Sequence, residues 1–287
     1  MSGLPRQPGL PRQLGLVGLG LMGASLARAL RAVAPEVRIA AAEPRDEVRA
    51  QALADGVVDL ARATPEEALA GCDLCVLCMP VAAIEQQLGP VSRLLPDGAL
   101  LTDVGGAKEA LVRRAAADVR PGVRFVGAHP MFGGHGGYAG AAAAAARWRG
   151  GRVALCTDGE PAAVAGVEAF FAALGAQVIR CSAAEHDAAV AMVSHLPYLV
   201  ASALAAAAGE AGPLAAALAG QGLKDTTRLA EFPFDIQGEV SRRNAQIPAA
   251  AERLQRHLDR ILAAIAASPE AAREALEQAR RAREELF

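Results

Sequence analysis

The sequence has little net charge, few aromatic residues and few cysteines, and each scarcity narrows its possible roles. Its 29 Lys and Arg stand against 31 Asp and Glu, for a formal charge of −2, and no block of basic residues is interleaved with the 3% of aromatics. That balance provides no general field for nucleic acid or for an anionic membrane, so neither is an expected partner. The opening stretch, MSGLPRQPGLPR, is rich in Pro and Gly and lacks the continuous apolar core of a signal peptide. No stretch is expected to span a membrane once Gly and charge in the Ala-rich segments are counted. A cytoplasmic protein is the expectation.

Three of the five cysteines, Cys72, Cys75 and Cys78, form a CxxCxxC pattern that superficially suggests a metal or iron–sulfur site. Leu74 to Met79 is, however, a continuous apolar run that suits a buried parallel strand, where small thiols pack well. Alternation along it puts Cys75 on the opposite face from Cys72 and Cys78, and ligands split across two faces cannot close on one ion. No metal site is expected.

What is present starts with Leu14 to Leu30, LGLVGLGLMGASLARAL: an apolar strand, a GxGxxG turn at Gly18, Gly20 and Gly23, and a small-residue helix. In such a unit the first glycine permits the tight turn, the second lets backbone N–H groups approach a pyrophosphate, and the third lets helix and strand pack closely. The helix N-terminus, at Leu21 and Met22, then faces the anion. A second strand, Val37 to Ala42, is followed by Glu43, the acid expected to hold a ribose 2′-OH. NAD is therefore the expected cofactor. Arg45 leaves NADP open, because an arginine there can receive a 2′-phosphate.

Further strands are expected at Val57 to Asp59, Leu74 to Met79, Ala99 to Thr102, Val123 to Val126, Val153 to Cys156 and Gln177 to Arg180. Two polar clusters, Asp103 to Lys108 and Gly127 to Gly133 with His129, sit just past strand ends, where ligands of open α/β sheets lie. Asp103 is expected at the cofactor. Gly134 to Ala146 reads as a mobile loop over the cleft, turning helical toward Ala141. From Ala183 onward the pattern is helical: Ala183 to Ala208 interrupted by Pro197, Pro213 to Leu218, and two helices from Ile247 to Phe287. Ala-rich helices apolar over more than one face bury the excess against a partner chain. The fold class is thus α/β, with a flexible lead-in over 1–13, a Rossmann-like doubly wound sheet over 14–181 and an all-α substrate and dimerisation domain over 182–287. A homodimer through the C-terminal helices is expected.

Three segments beyond the glycine turn, HPMFGG from His129, EHDAAVAMVSHLP from Glu185 and GLKDTTRLA from Gly222, come in this order after GLGLMGASLA. Together they resemble the prephenate dehydrogenase family, which includes arogenate and cyclohexadienyl dehydrogenases of tyrosine biosynthesis. No chorismate mutase domain precedes them, and the chain ends too soon for a regulatory ACT domain, so a stand-alone form is expected. The resemblance implies an NAD-dependent oxidative decarboxylation of prephenate to 4-hydroxyphenylpyruvate, or of arogenate to tyrosine. It gives His129 the proton of the 4-hydroxyl, Arg228 a substrate carboxylate, and His195 a further contact with substrate. His suits the first task because its ordinary pKa lies near working pH, and planar Arg suits the second through bidentate pairing.

Structural readings compete with these. His129 before Pro can simply shape a loop, Arg228 can be a surface ion pair, His195 can be a core histidine, and His257 reads as solvated. His186 with Asp187 reads as a capping pair at a helix N-terminus. The family pattern DVxSxK, whose Ser hydrogen-bonds the catalytic His, is replaced by DVGGAK; Gly106 has no hydroxyl, so either water or another hydroxyl such as Ser194 serves, or His129 is held more loosely and turnover is slower. His135, in the glycine loop, has no assigned role. A β-hydroxyacid dehydrogenase using Lys224 and a non-catalytic dinucleotide sensor are the alternatives.

Overall fold

A computed structural model describes residues 9–133 and 137–287 of the chain. They fall into two compact units, Met1–Asp187 with Phe232–Asn244, and Ala188–Glu231 with Ala245–Phe287.

The first unit alternates strand and helix. In chain order come β1 (Gln13–Val17), α1 (Leu21–Val33), β2 (Arg38–Ala42), α2 (Asp46–Ala54), β3 (Leu60–Arg62), α3 (Pro65–Ala68), β4 (Leu74–Leu77), α4 (Val81–Leu94), β5 (Leu100–Asp103), α5 (Glu109–Asp118) and β6 (Arg124–Val126). The six strands form one sheet of order β3-β2-β1-β4-β5-β6, and every neighbouring pair is parallel. A parallel sheet covered on both faces demands strands apolar on both sides, and β1 and β4 meet this with Leu14, Leu16, Cys75, Val76 and Leu77 almost fully buried. Each fully buried leucine contributes about 1.5–3 kcal/mol. The order reverses between β1 and β4, and in open sheets of this kind ligands lie at that point, outside the carboxyl ends of the strands.

A smaller sheet follows, made of β7 (Ala128–Pro130), β8 (Arg152–Cys156) and β9 (Gln177–Cys181), with α6 (Gly137–Ala145) and α7 (Pro161–Ala173). β7 runs antiparallel to β8, with His129 opposite Ala154. Trp148, fully buried, stacks on Phe171 at 5.8 Å and donates its indole N–H to Ser25 Oγ at 3.1 Å, which ties this layer to α1.

Several expectations shift. The third strand is Leu60–Arg62 and not Val57 to Asp59, because the N–H groups of Val57 and Val58 turn back to the carbonyl of Ala52 at the end of α2. Cys72 precedes β4, so alternation does not reach it; Cys72 and Cys75 share one apolar cluster and Cys78 belongs to the other. Burial pushes the Cys72 thiol up to about 11, and Cys75 and Cys78 higher still. Among the described residues, no group of three or more His, Cys, Asp or Glu is placed to share a metal ion. α6 begins at Gly137, earlier than the expected turn to helix near Ala141, and packs along α1. Gly134, His135 and Gly136 lie outside the described residues. So do residues 1–8 of the expected lead-in, while Leu10 is buried in the core and Gln13 begins β1.

The second unit is helical: α8 (Ala183–Val190), whose first turns belong to the first unit, α9 (Leu196–Glu210), α10 (Pro213–Leu218), α11 (Gln221–Thr227), α13 (Ile247–Ala267) and α14 (Pro269–Leu286), with α12 (Glu239–Arg243) returning to the first unit. A wide turn, Ala191–His195, absorbs Pro197 at the start of α9. The 28-residue run Ala183–Glu210 is long and apolar enough to cross a membrane by length and composition, with an 18-residue window of mean hydropathy 1.6, against the expectation that no stretch approaches a span. Alanine accounts for much of that hydropathy, and the run opens on Glu185, His186 and Asp187.

Candidate active site

The three glycines each meet a distinct constraint. Gly18 has φ +97°, a left-handed conformation, and a Cβ there would lie 2.6 Å from the carbonyl oxygen of Cys78. A Cβ on Gly23 would lie 2.0 Å from the Gly18 oxygen, so α1 can approach β1 only without a side chain there. A Cβ on Gly20, the N-cap of α1, would meet nothing within 4 Å. The first and third glycines are required by the protein itself, whereas the second borders open space at a helix N-terminus. That combination fits a pyrophosphate held by the N–H groups of Leu21 and Met22.

Glu43 follows β2 and is buried to 2% exposure. Its Oε2 accepts the N–H of Leu19 at 2.8 Å, and Arg45 grips both oxygens, Nε to Oε1 at 2.7 Å and Nη2 to Oε2 at 3.1 Å. Burial raises the carboxyl, but Arg45 and the backbone N–H groups of Leu19 and Arg45 outweigh it and hold Glu43 below the ordinary range. The acid therefore braces the glycine turn as well as facing the second strand's end.

Asp103, expected at the cofactor, is fully buried and committed inward. It pairs with the equally buried Lys108, accepts the N–H of Gly105 at 2.7 Å through Oδ2, and accepts the N–H of Ala128 at 3.1 Å through Oδ1. The last of these ties the end of β5 to β7, the strand that carries His129.

His129 comes three residues past the end of β6, as expected, and lies within β7 of the smaller sheet. A Cβ on Gly106 would lie 3.6 Å from His129 Cε1 and 3.1 Å from Val240 Cγ1. Position 106 does adjoin the imidazole, and Val240 of α12 crowds the place a side chain would take. The partner at His129 Nδ1 is His186 Nε2, at 2.9 Å. His186 Nδ1 in turn meets Asp187 Oδ1 at 2.7 Å. Asp187 Oδ1 and Oδ2 accept the N–H groups of Lys108 and Glu109 at 2.8 and 2.9 Å.

His186 and Asp187 thus do not cap their own helix. That task belongs to Ser182 and Glu185, which bond reciprocally as a capping box at the start of α8. Asp187 caps α5 instead, a helix far away in sequence. The HD pair joins His129 to the start of α5, a link that spacing alone missed.

His195 and Arg228 belong to the second unit. His195 is buried immediately before α9, and the short turn Arg228–Glu231, with Arg228 exposed, packs on α9. Lys224 is exposed on α11, and His257 is exposed on α13 beside Arg260, at 3.3 Å.

The sheet order with its switch point and the glycine turn define a nucleotide-binding domain of the Rossmann class. Residues 26–180 match the family model described as prephenate dehydrogenase, nucleotide-binding domain, and residues 182–279 match prephenate dehydrogenase, dimerization domain. A prephenate dehydrogenase of Lactococcus lactis subsp. cremoris is 30% identical over 86% of this chain and 69% of its own length. The chain spans 59 to 69% of the length of the curated relatives it matches. Among solved structures, an arogenate dehydrogenase from Synechocystis is 26% identical with a TM-score of 0.81, covering 96% of this chain and 100% of that one. A prephenate dehydrogenase from A. aeolicus, solved with hydroxyphenyl propionate and NAD+, shares the fold at a TM-score of 0.86 and 24% identity, with both chains covered completely (100%). The chain belongs to the prephenate dehydrogenase family of oxidoreductases.

Proposed function

We propose that the protein oxidatively decarboxylates prephenate to 4-hydroxyphenylpyruvate, with NAD as the hydride acceptor. The observation that carries this reading is the place of His129: beside the loop that ends β5, at the carboxyl edge of the sheet, with Nδ1 engaged by His186. Gly18, Gly20 and Gly23 with the N–H groups of Leu21 and Met22 hold the cofactor, and bound NAD takes the hydride from C4 of the cyclohexadienol. His129 accepts the 4-hydroxyl proton at Nε2, the nitrogen not bonded to His186. The ring carboxylate departs as carbon dioxide while the ring becomes aromatic. Arg228 binds a substrate carboxylate and His195 contacts substrate.

NAD is favoured over NADP because Arg45 is committed to Glu43, and a 2′-phosphate would have to displace that carboxylate. Pairing as a homodimer through the C-terminal helices is supported by Leu254, Leu258, Leu262 and Ile265, all exposed along one stripe of α13. A hydride-transfer assay with prephenate and arogenate, each against NAD and NADP, tests the reading. Prephenate with NAD is expected to react fastest. Faster oxidation of arogenate reassigns the substrate, and no transfer with either substrate rejects the reading in favour of a sensor or a β-hydroxyacid dehydrogenase.

A further inference from the structure

We propose that His186 and Asp187 are positioning residues that set the tautomer of His129, an inference that rests on the reading of His129 as the base. With His186 neutral, the chain of contacts leaves one consistent assignment of protons. Asp187 receives two backbone N–H groups at the start of α5 and is almost completely buried. Burial raises its carboxyl, but the His186 ring and the N–H groups of Glu109 and Lys108 outweigh it and hold it below the ordinary range. An ionised carboxylate only accepts hydrogen bonds, so His186 Nδ1, at 2.7 Å, is the donor. A neutral His186 then turns the lone pair of Nε2 toward His129. At 2.9 Å that contact is a hydrogen bond only if His129 Nδ1 carries the proton. His129 Nε2 is left as the basic nitrogen.

With His186 neutral, the opposite tautomer would set two lone pairs against each other at hydrogen-bond distance. Once Nε2 has accepted a proton, the imidazolium still donates through Nδ1, and the charge of Asp187 lies one ring away to stabilise it. Two other charged clusters border the site. Lys108 and Asp103 neutralise each other in full burial, and Arg243 on α12, the helix that lays Val240 against Gly106, pairs with Glu239 and Glu85. Asp187 is the carboxylate in direct contact with the imidazole pair. The chain that lacks a hydroxyl at Gly106 has a second imidazole where an orienting partner is required.

Nitrogen NMR of the full chain with 15N-labelled histidine tests the assignment, His129 being identified by the signals lost in His129→Asn. At alkaline pH the unmutated protein is expected to show His129 protonated at Nδ1 and bare at Nε2; an Nε2–H form overturns the proposal. In His186→Gln the same ring is expected to move toward the Nε2–H form. Turnover with prephenate and NAD should fall about 10–100-fold in that variant at a nearly unchanged KM, as for other lost orienting partners. The acid limb of its kcat profile should move to lower pH, because the protonated base has lost its stabilising neighbour, and His129→Asn/His186→Gln should be no slower than His129→Asn alone. An unmoved acid limb, or fully additive losses, also overturns the proposal. Nitrogen signals as expected in a protein that oxidises neither prephenate nor arogenate would reject the functional reading while upholding the tautomer. A misfolded His186→Gln leaves the decision with the unmutated protein's own signals.

Discussion

The Cβ that Gly23 lacks would stand 2.0 Å from the carbonyl oxygen of Gly18, closer than any two such atoms can come. The contact locks the start of α1 onto the turn that ends β1. Gly20, between them, touches nothing within 4 Å at the same atom. Gly23→Ala is therefore expected to lower thermal stability and abolish cofactor binding together. Gly20→Ala should fold with an unchanged melting temperature and still lose NAD affinity by tenfold or more, on the order of 1.4 kcal/mol. Calorimetry beside NAD titration separates the two.

Glu43→Ala should show both functions of the acid. Losing the carboxylate that accepts the Leu19 N–H and the Arg45 fork costs about 1.5–3 kcal/mol by the usual worth of hydrogen bonds to charged groups. It also releases Arg45, so the ratio of NADP to NAD turnover should rise. Unchanged preference between the cofactors would remove Glu43 from the ribose site.

Lys108→Met leaves Asp103 charged and unpaired in full burial, and breaking such a pair costs about 3–5 kcal/mol. Urea denaturation of the variant should show a loss of that size. The double change Asp103→Leu/Lys108→Met should recover a part of it, since neither charge is then left in the core.

His129→Asn should lower kcat by about 10²–10⁴ with little change in NAD affinity, because it removes the proton acceptor and leaves the cradle. Arg228→Ala should instead raise the KM for prephenate. Retained turnover in the first variant, or an unchanged KM in the second, would dismiss that residue from the mechanism.

Acid should weaken the first unit through Asp187. Its folded-state pKa is depressed, so its contribution is complete above the ordinary aspartate value and is lost as pH falls through the lower folded value. Glu43 acts in the same direction. The urea midpoint is therefore expected to decline below about pH 4, and less steeply in Asp187→Asn.

Local chemistry made much of the architecture legible in the sequence. The glycine turn, most of the apolar strands and the two helices from Ile247 to Phe287 each follow from neighbouring residues and reappear, the helices meeting at Ser268, which caps α14 through Ala271 N–H. Burial alone was a poorer guide: Val57 and Val58 are as buried as strand residues, yet their N–H groups serve the end of α2. The candidate site was legible only in part. His129 stood out because histidine is rare here and sits near a strand end. His186 and Asp187 did not, since their meaning depends on atoms of His129, Lys108 and Glu109 that no spacing rule brings near. Asp103 had the opposite fault, being conspicuous in position and turned inward to Lys108.

The contacts that aim His129 join residues 57 apart, to His186, and the brace behind them joins residues 79 apart, Asp187 to Lys108. Closing loops of that length is slow compared with forming any single helix or turn. During refolding, helical signal should return well before the base acquires its orientation, and enzymatic activity should be among the last properties recovered. Competence at this site is a late event in the life of each chain.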